Sequence, residues 1–305
     1  MHSTLKDRAD VADGIRGCFP GSGDTILGLA ALVYMEDGPL SAEGSGFDRL
    51  MRQEELPDLS DEAVSRALSE LTAGFCLPVG NLLALDYSAP YTEHVGFGVH
   101  DLEEDIRPFM DAVLLVDSED GSPRGLLPLP EFSGIGDVCE ALRTFDGVLV
   151  TDRMEYDRAT VQTLDRWGTD WLLTQPPFPQ SASDVRGRMD VLKHGDIEYE
   201  TCKARYDKHW LFRFYDPAEK EREVRIISER IKDRREANRL IKTAGITDAV
   251  SSQSFDIRRV RSYMDIRERC DAEMRLQWHR MDGASPKDRP TAFATLCLQI
   301  IAGML

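Results

Sequence analysis

A chain of 305 residues with 42% hydrophobic content can bury a sizeable core, in one large domain or two to three modest ones. No apolar run reaches the ~18 residues of a membrane span, and the charged start MHSTLKDRAD lacks the apolar stretch of a secretory signal, so a soluble protein of the cytoplasm is expected. Six scattered cysteines without a CxxC pair give no spacing for a zinc site or a disulfide framework, and the net charge of −17 confines any contact with a polyanion to local clusters of cations.

Along the chain, residues 1–78 read as a helical layer. TILGLAALVYM is an apolar stretch suited to a packed helix, and in LPDLSDEAVSRALSELTAGF Ser60 is placed to cap a helix whose Val64, Ala67, Leu68 and Leu71 recur at helical spacing. From Asn81 the pattern changes to short apolar runs broken by turns. LLALDYS, FMDAVLLVD and RGLLPLPEF read as strands, followed by the helix GDVCEALRTF, the strand GVLVTD, the helix YDRATVQTLDRWG stopped by Gly168, and the strand DWLLTQ cut off by Pro176 and Pro177. The segment DSEDGSPRG between two apolar runs is a hairpin turn, so the first strands are expected to be antiparallel and the order to be β-β-β-α-β-α-β.

Beyond the Pro/Ser-rich junction QPPFPQSASD, residues 176–254 alternate polar and aromatic residues before a charged helix, AEKEREVRIISERIKDRREANRLIK, and read as an inserted subdomain. Residues 255–305 supply a long charged helix, RRVRSYMDIRERCDAEMRLQWHRM, and an apolar closing helix.

Two acidic residues stand out by position: Asp86 closes the apolar run LLALD, and Asp152 closes VLVTD. A carboxylate at the end of a buried strand is held rigidly and reaches the open edge of a sheet, which suits a metal ligand, although a strand-terminal Asp is also an ordinary turn residue. If both strands are neighbours, divalent ions would let the two carboxylates share one site without protonation. A third carboxylate is expected from the long helix near residue 271.

The stretches LLALDYSAPYTEHVGFGVH, FMDAVLLVDSEDGSPRGLLPLPEFSGIGDVCEAL and VLVTDRMEYDRATVQTLDRWGTDWLLT together resemble the catalytic core of bacterial and archaeal insertion-sequence transposases of the DDE type. PLPEFSGIGDV stands where that family has its Gly-Asn phrase, and Asp152-Arg153-Met154 where it has Asp-Arg-Gly, with Met154 departing from the pattern. The resemblance implies an α/β chain with a ribonuclease-H-like mixed sheet flanked by helices, an N-terminal helical region and an inserted β-containing subdomain. It divides the catalytic core into residues 79–175 and 255–305.

The family's last signature sets Tyr, Arg, Glu and Lys on one helix. Arg269, Glu273 and Arg280 keep its spacing, with Ile266 for Tyr and Arg280 for Lys; the alternative, Arg267 with Asp271, puts Trp278 at the Lys position. Glu273 is the preferred third ligand and Asp271 the alternative.

By this resemblance Asp86, Asp152 and Glu273 would hold two Mg²⁺ ions, for which Mn²⁺ can substitute, and catalyse strand cleavage and strand transfer at the ends of the element. The implied partners are DNA, as terminal inverted repeats and target, and a second copy of the chain; the setting is the nucleoid. DNA contact falls to Arg267, Arg269, Arg275 and Arg280 and to other cation-rich stretches, Lys220 to Lys242 among them, which reads equally as a solvated helix face. A metal-dependent nuclease of the same fold and a non-catalytic DNA-binding descendant are the alternatives. Trp210 and Trp278 could stack a flipped base or pack in a core.

Overall fold

The computed structural model describes residues 9–35, 59–77, 81–97, 101–130, 133–151, 158–175, 190–280 and 289–305. The chain divides into two compact units, Met1–Leu142 with Arg269–Leu305, and Arg143–Glu268. The division passes within one long helix.

In the first unit, helices α1 (Ala9–Cys18), α2 (Gly23–Met35), α3 (Asp61–Leu71) and α9 (Arg289–Met304) pack together. Helices α2 and α9 are apolar nearly all round, the pattern of buried helices, and Ile26, Leu27, Ala30, Leu296, Leu298 and Ile301 are withdrawn from solvent. Cys297 donates its thiol to the Leu71 carbonyl (3.7 Å), tying α9 to the end of α3. Helix α3 begins as expected: Ser60 Oγ accepts from the Ala63 amide (3.2 Å), and Ala67 and Leu71 face inward. Among the described residues no helix is long and apolar enough to cross a membrane.

Strands β1 (Phe75–Cys76), β2 (Leu82–Phe97), β3 (Asp101–Asp117) and β4 (Pro123–Leu129) of this unit are antiparallel in the order β1-β4-β3-β2. The β3–β4 turn takes its shape from DSEDGS. Asp117 accepts from the Glu119 amide (2.9 Å), Asp120 accepts from the amide and hydroxyl of Ser122 (2.7 and 2.5 Å), and Gly121 supplies a φ of 76°. The Ser122 hydrogen bonds hold the Asp120 carboxyl below its ordinary pKa.

At the other edge, β1 lies close on β4 because Gly74, at φ +78°, has no side chain. A Cβ there would stand 2.3 Å from the Leu126 carbonyl oxygen. Gly74→Ala should therefore lower stability by about 1–3 kcal/mol, read as a lower urea midpoint at unchanged m. A midpoint equal to wild type would contradict that packing. Helix α4 (Ile135–Ala141) follows, and its buried Cys139 has its thiol pKa pushed up to about 11 by desolvation, so it behaves as a small apolar group.

In the second unit, β5 (Gly147–Thr151) and β6 (Asp170–Gln175) are parallel, and the crossover that a parallel pair requires contains α5 (Arg158–Trp167), ended by Gly168 at φ +81°. Strands β7 (Asp190–His194), β8 (Ile197–Tyr206), β9 (His209–Tyr215) and β10 (Ile246–Ser251) continue the same sheet in antiparallel pairs, in the order β5-β6-β10-β9-β8-β7. The stretch read as an insertion thus extends the sheet, burying Trp171, Leu211 and Val250 on one face and Phe212 and Phe214 on the other.

Helix α8 (Ile257–Arg280) lies with its first part on one face of this sheet. Arg261 stacks over Tyr199 (5.0 Å) and Phe214 (5.9 Å) while pairing with Asp265, and His194 meets Asp265 at 2.6 Å. The single charged helix expected after β9 is two, α6 (Pro217–Arg230) and α7 (Arg234–Ile241). Ile231 is extended, and Asp233 caps α7 by accepting from the Arg235 and Glu236 amides (2.7 and 3.0 Å).

Candidate functional site

Asp86 lies within β2 rather than at its end, because the strand runs on to Phe97. It faces Val113 across the β2–β3 ladder, and Leu83, Ala84, Leu85 and Tyr87 around it are all buried, so both faces of this part of the strand are covered. The residue is 1% exposed. A carboxylate this far from water costs several kcal/mol unless hydrogen-bond donors or a cation face it.

Asp111 on β3 is a second buried acid that the sequence reading did not single out. Paired residues share a face and side chains repeat every second residue, so the pairs Asp86↔Val113 and Ser88↔Asp111 put Asp86 and Asp111 on the same face, as diagonal neighbours. Asp111 Oδ2 accepts from the amide and the hydroxyl of Ser133, both at 3.1 Å. The signal for it was an acid inside the apolar run FMDAVLLVD, on the hairpin partner of the strand bearing Asp86.

Asp152 lies outside the described residues; β5 ends at the buried Thr151 just before it. The end of β5 is held from α8, where Arg267 Nη1 donates to the Val150 carbonyl (2.6 Å). This corrects one expectation. Arg267, read as a phosphate contact, is only 5% exposed, and its guanidinium serves the interior of the second unit. The physical reason is helical phase: Val260, Met264, Arg267 and Met274 recur three, four and seven residues apart on the buried stripe of α8.

Arg269 is exposed and donates from Nη2 to the Asp120 carbonyl (3.0 Å), and Cys270 donates its thiol to the Gly121 carbonyl (3.8 Å), so this turn of α8 is fastened to the β3–β4 turn. Of the two candidates for the third acid, Glu273 is exposed and accepts from Gln277 Nε2 (2.8 Å), whereas Asp271 is half-buried. The side chains of Arg275, Trp278 and Arg280 lie outside the described residues. Among the described residues no group of three or more His, Cys, Asp or Glu side chains is gathered as a metal ion would require; Asp152 is not among them.

Trp210 does not offer a bare ring. It is half-buried, with Arg205 at 4.8 Å and Lys203 at 5.1 Å from its centroid.

No family model matches the chain, and no curated protein matches it. Among solved structures it is similar to a piggyBac transposase synaptic complex with hairpin DNA, at 10% identity and a TM-score of 0.44. The match covers 92% of this chain and 66% of that one, so the chain spans slightly less than two thirds of its neighbour's length. A likeness at this level identifies neither an activity nor a family.

Proposed function

We propose that the chain belongs to the class of enzymes that transfer phosphoryl groups on DNA with the help of divalent ions. Within that class we read it as a transposase of the DDE type. The observation that carries the reading is the placement of acids on a particular succession of elements. Three antiparallel strands, β2, β3 and β4, precede α4, β5, α5 and β6, with the buried Asp86 in the first strand and Asp152 directly after the fourth.

Carboxylates are the ligand type that hard divalent ions take, and in this reading Asp86 and Asp152, with Glu273 or Asp271, would hold them. When bound, two Mg²⁺ or Mn²⁺ ions would supply Lewis-acid stabilisation of the charge that develops on the phosphoryl oxygens. The rest of the work belongs to the chain. β2 holds Asp86 between covered faces; Arg267 ties α8 to β5 through the Val150 carbonyl; Arg269 and Cys270 anchor the turn of α8 that carries Asp271 and Glu273.

The test is strand cleavage on linear DNA with Mg²⁺ or Mn²⁺, comparing the native chain with Asp86→Ala and Asp152→Ala. Cleavage by the native chain alone is expected, and identical behaviour of all three proteins removes the enzyme reading. Joined DNA ends among the products distinguish strand transfer from simple hydrolysis, because joining requires a DNA 3′-hydroxyl as nucleophile.

A further inference from the structure

The chain carries 54 acidic and 37 basic side chains, and several of its arginines are paired with carboxylates. Arg213 is bound to Asp248, Arg261 to Asp265, and Arg222 to Glu219. One surface of the second unit departs from this. On the β8–β9 hairpin, Arg205 stands directly across the ladder from Trp210 with its guanidinium 4.8 Å from the ring centroid. Lys203, across from Phe212, lies 5.1 Å from the Trp210 ring and 5.3 Å from that of Phe212.

Lys203 Nζ also donates to the Phe255 carbonyl (2.6 Å), which brings in the residues leading into α8. Phe255 meets Tyr263 edge to face at 6.0 Å, and Arg259 lies 5.6 Å from the Tyr263 ring. Lys203, Arg205 and Arg259 reach solvent, and none has a carboxylate partner among the described residues. The acids near this surface are Asp256, which accepts from the Arg258 amide at the start of α8, Asp207 in the hairpin turn, and Asp170, whose charge reaches the Tyr263 hydroxyl.

An aromatic ring orients a cation without cancelling its charge, whereas a carboxylate cancels it. The rings of Trp210, Phe212 and Tyr263 therefore hold three long side chains in place and leave their field intact, which reduces the ordering cost of meeting an anion.

We propose that Lys203, Arg205 and Arg259 form a binding surface for the phosphate backbone of DNA, oriented by Trp210, Phe212 and Tyr263. The cations already over Trp210 make its role one of holding them rather than of stacking a base. The inference deepens the reading of DNA as substrate and rests on it. It is independent of metal chemistry, because phosphate contacts set affinity and register without breaking a bond.

Fluorescence anisotropy of a labelled 40-base-pair duplex, titrated in EDTA with the full chain over a range of KCl concentrations, tests it. The triple variant Lys203→Gln/Arg205→Gln/Arg259→Gln should bind about tenfold or more weakly at ~0.1 M salt. The slope of log affinity against log salt should fall in magnitude by roughly two to three, near 0.9 for each phosphate that the variant no longer neutralises. Arg222→Gln/Arg225→Gln, which removes exposed cations of α6, should bind as the native chain does. Unchanged thermal melting of the variants assigns the weaker binding to the surface.

Equal binding and slope for the triple variant and the native chain would overturn the proposal. So would no binding by the native chain, or competition by polyglutamate as effective as unlabelled duplex at equal charge. Metal-dependent cleavage is scored separately. A chain that binds through this surface but never cuts contradicts the enzyme reading alone, and one that cuts equally well and binds equally well without the three cations contradicts the surface alone.

Discussion

Asp86→Asn is expected to lower metal-dependent DNA cleavage by about three orders of magnitude or more while leaving duplex affinity within about twofold of the native chain. Ions held by carboxylates act chiefly on charge that develops as the phosphoryl group transfers, and several kcal/mol of such stabilisation corresponds to roughly a thousandfold in rate. Affinity comes mainly from phosphate contacts elsewhere on the protein. Asn keeps the volume of Asp at a position that is 1% exposed between Leu85 and Tyr87, so the packing of β2 is retained. Single-turnover cleavage and anisotropy on the same duplex separate the two quantities. A parallel fall in both would mean that Asp86 matters for the fold and not for the chemistry.

The largest effect on stability is expected at Arg213. It and Asp248 face each other across the β9–β10 ladder, with Nε to Oδ1 at 2.7 Å and Nη2 to Oδ2 at 2.6 Å, and their side chains are 6% and 0% exposed. Removing one partner leaves the other charge buried without its mate, a cost of about 3–5 kcal/mol, whereas replacing both by apolar residues removes the desolvation penalty together with the attraction. Arg213→Met should therefore unfold at much lower urea, and Arg213→Met/Asp248→Leu should recover most of that stability. A single variant within ~1 kcal/mol of the native chain would show that water reaches the pair.

The order of strands and helices from Asn81 to Gln175 was legible because several of its turns and stops carry their own chemistry. DSEDGS makes the β3–β4 turn through Asp117, Asp120 and Gly121, and Gly168 stops α5 at positive φ. The position of Asp86 within its strand was not legible. A strand covered on both faces has no polar alternation to mark where it ends, and β2 runs eleven residues past the aspartate.

The break between α6 and α7 was hidden by composition: neither helix has a buried residue, so no apolar stripe changes phase at the interruption. Its one local signal was Asp233, which caps α7. Arg267 could have been assigned to the interior from its phase with Val260, Met264 and Met274, had the stripe been weighed above the charge.

A crystal of the full chain grown with Mn²⁺ and measured at the manganese absorption edge addresses the acidic site most directly. Anomalous density for two ions about 4 Å apart, in contact with the carboxylates of Asp86 and Asp152 and with Glu273 or Asp271, is the expected result. Manganese absent from Asp86, or Asp86 and Asp152 too far apart to share an ion, would contradict the reading of this chain as a divalent-metal enzyme acting on DNA.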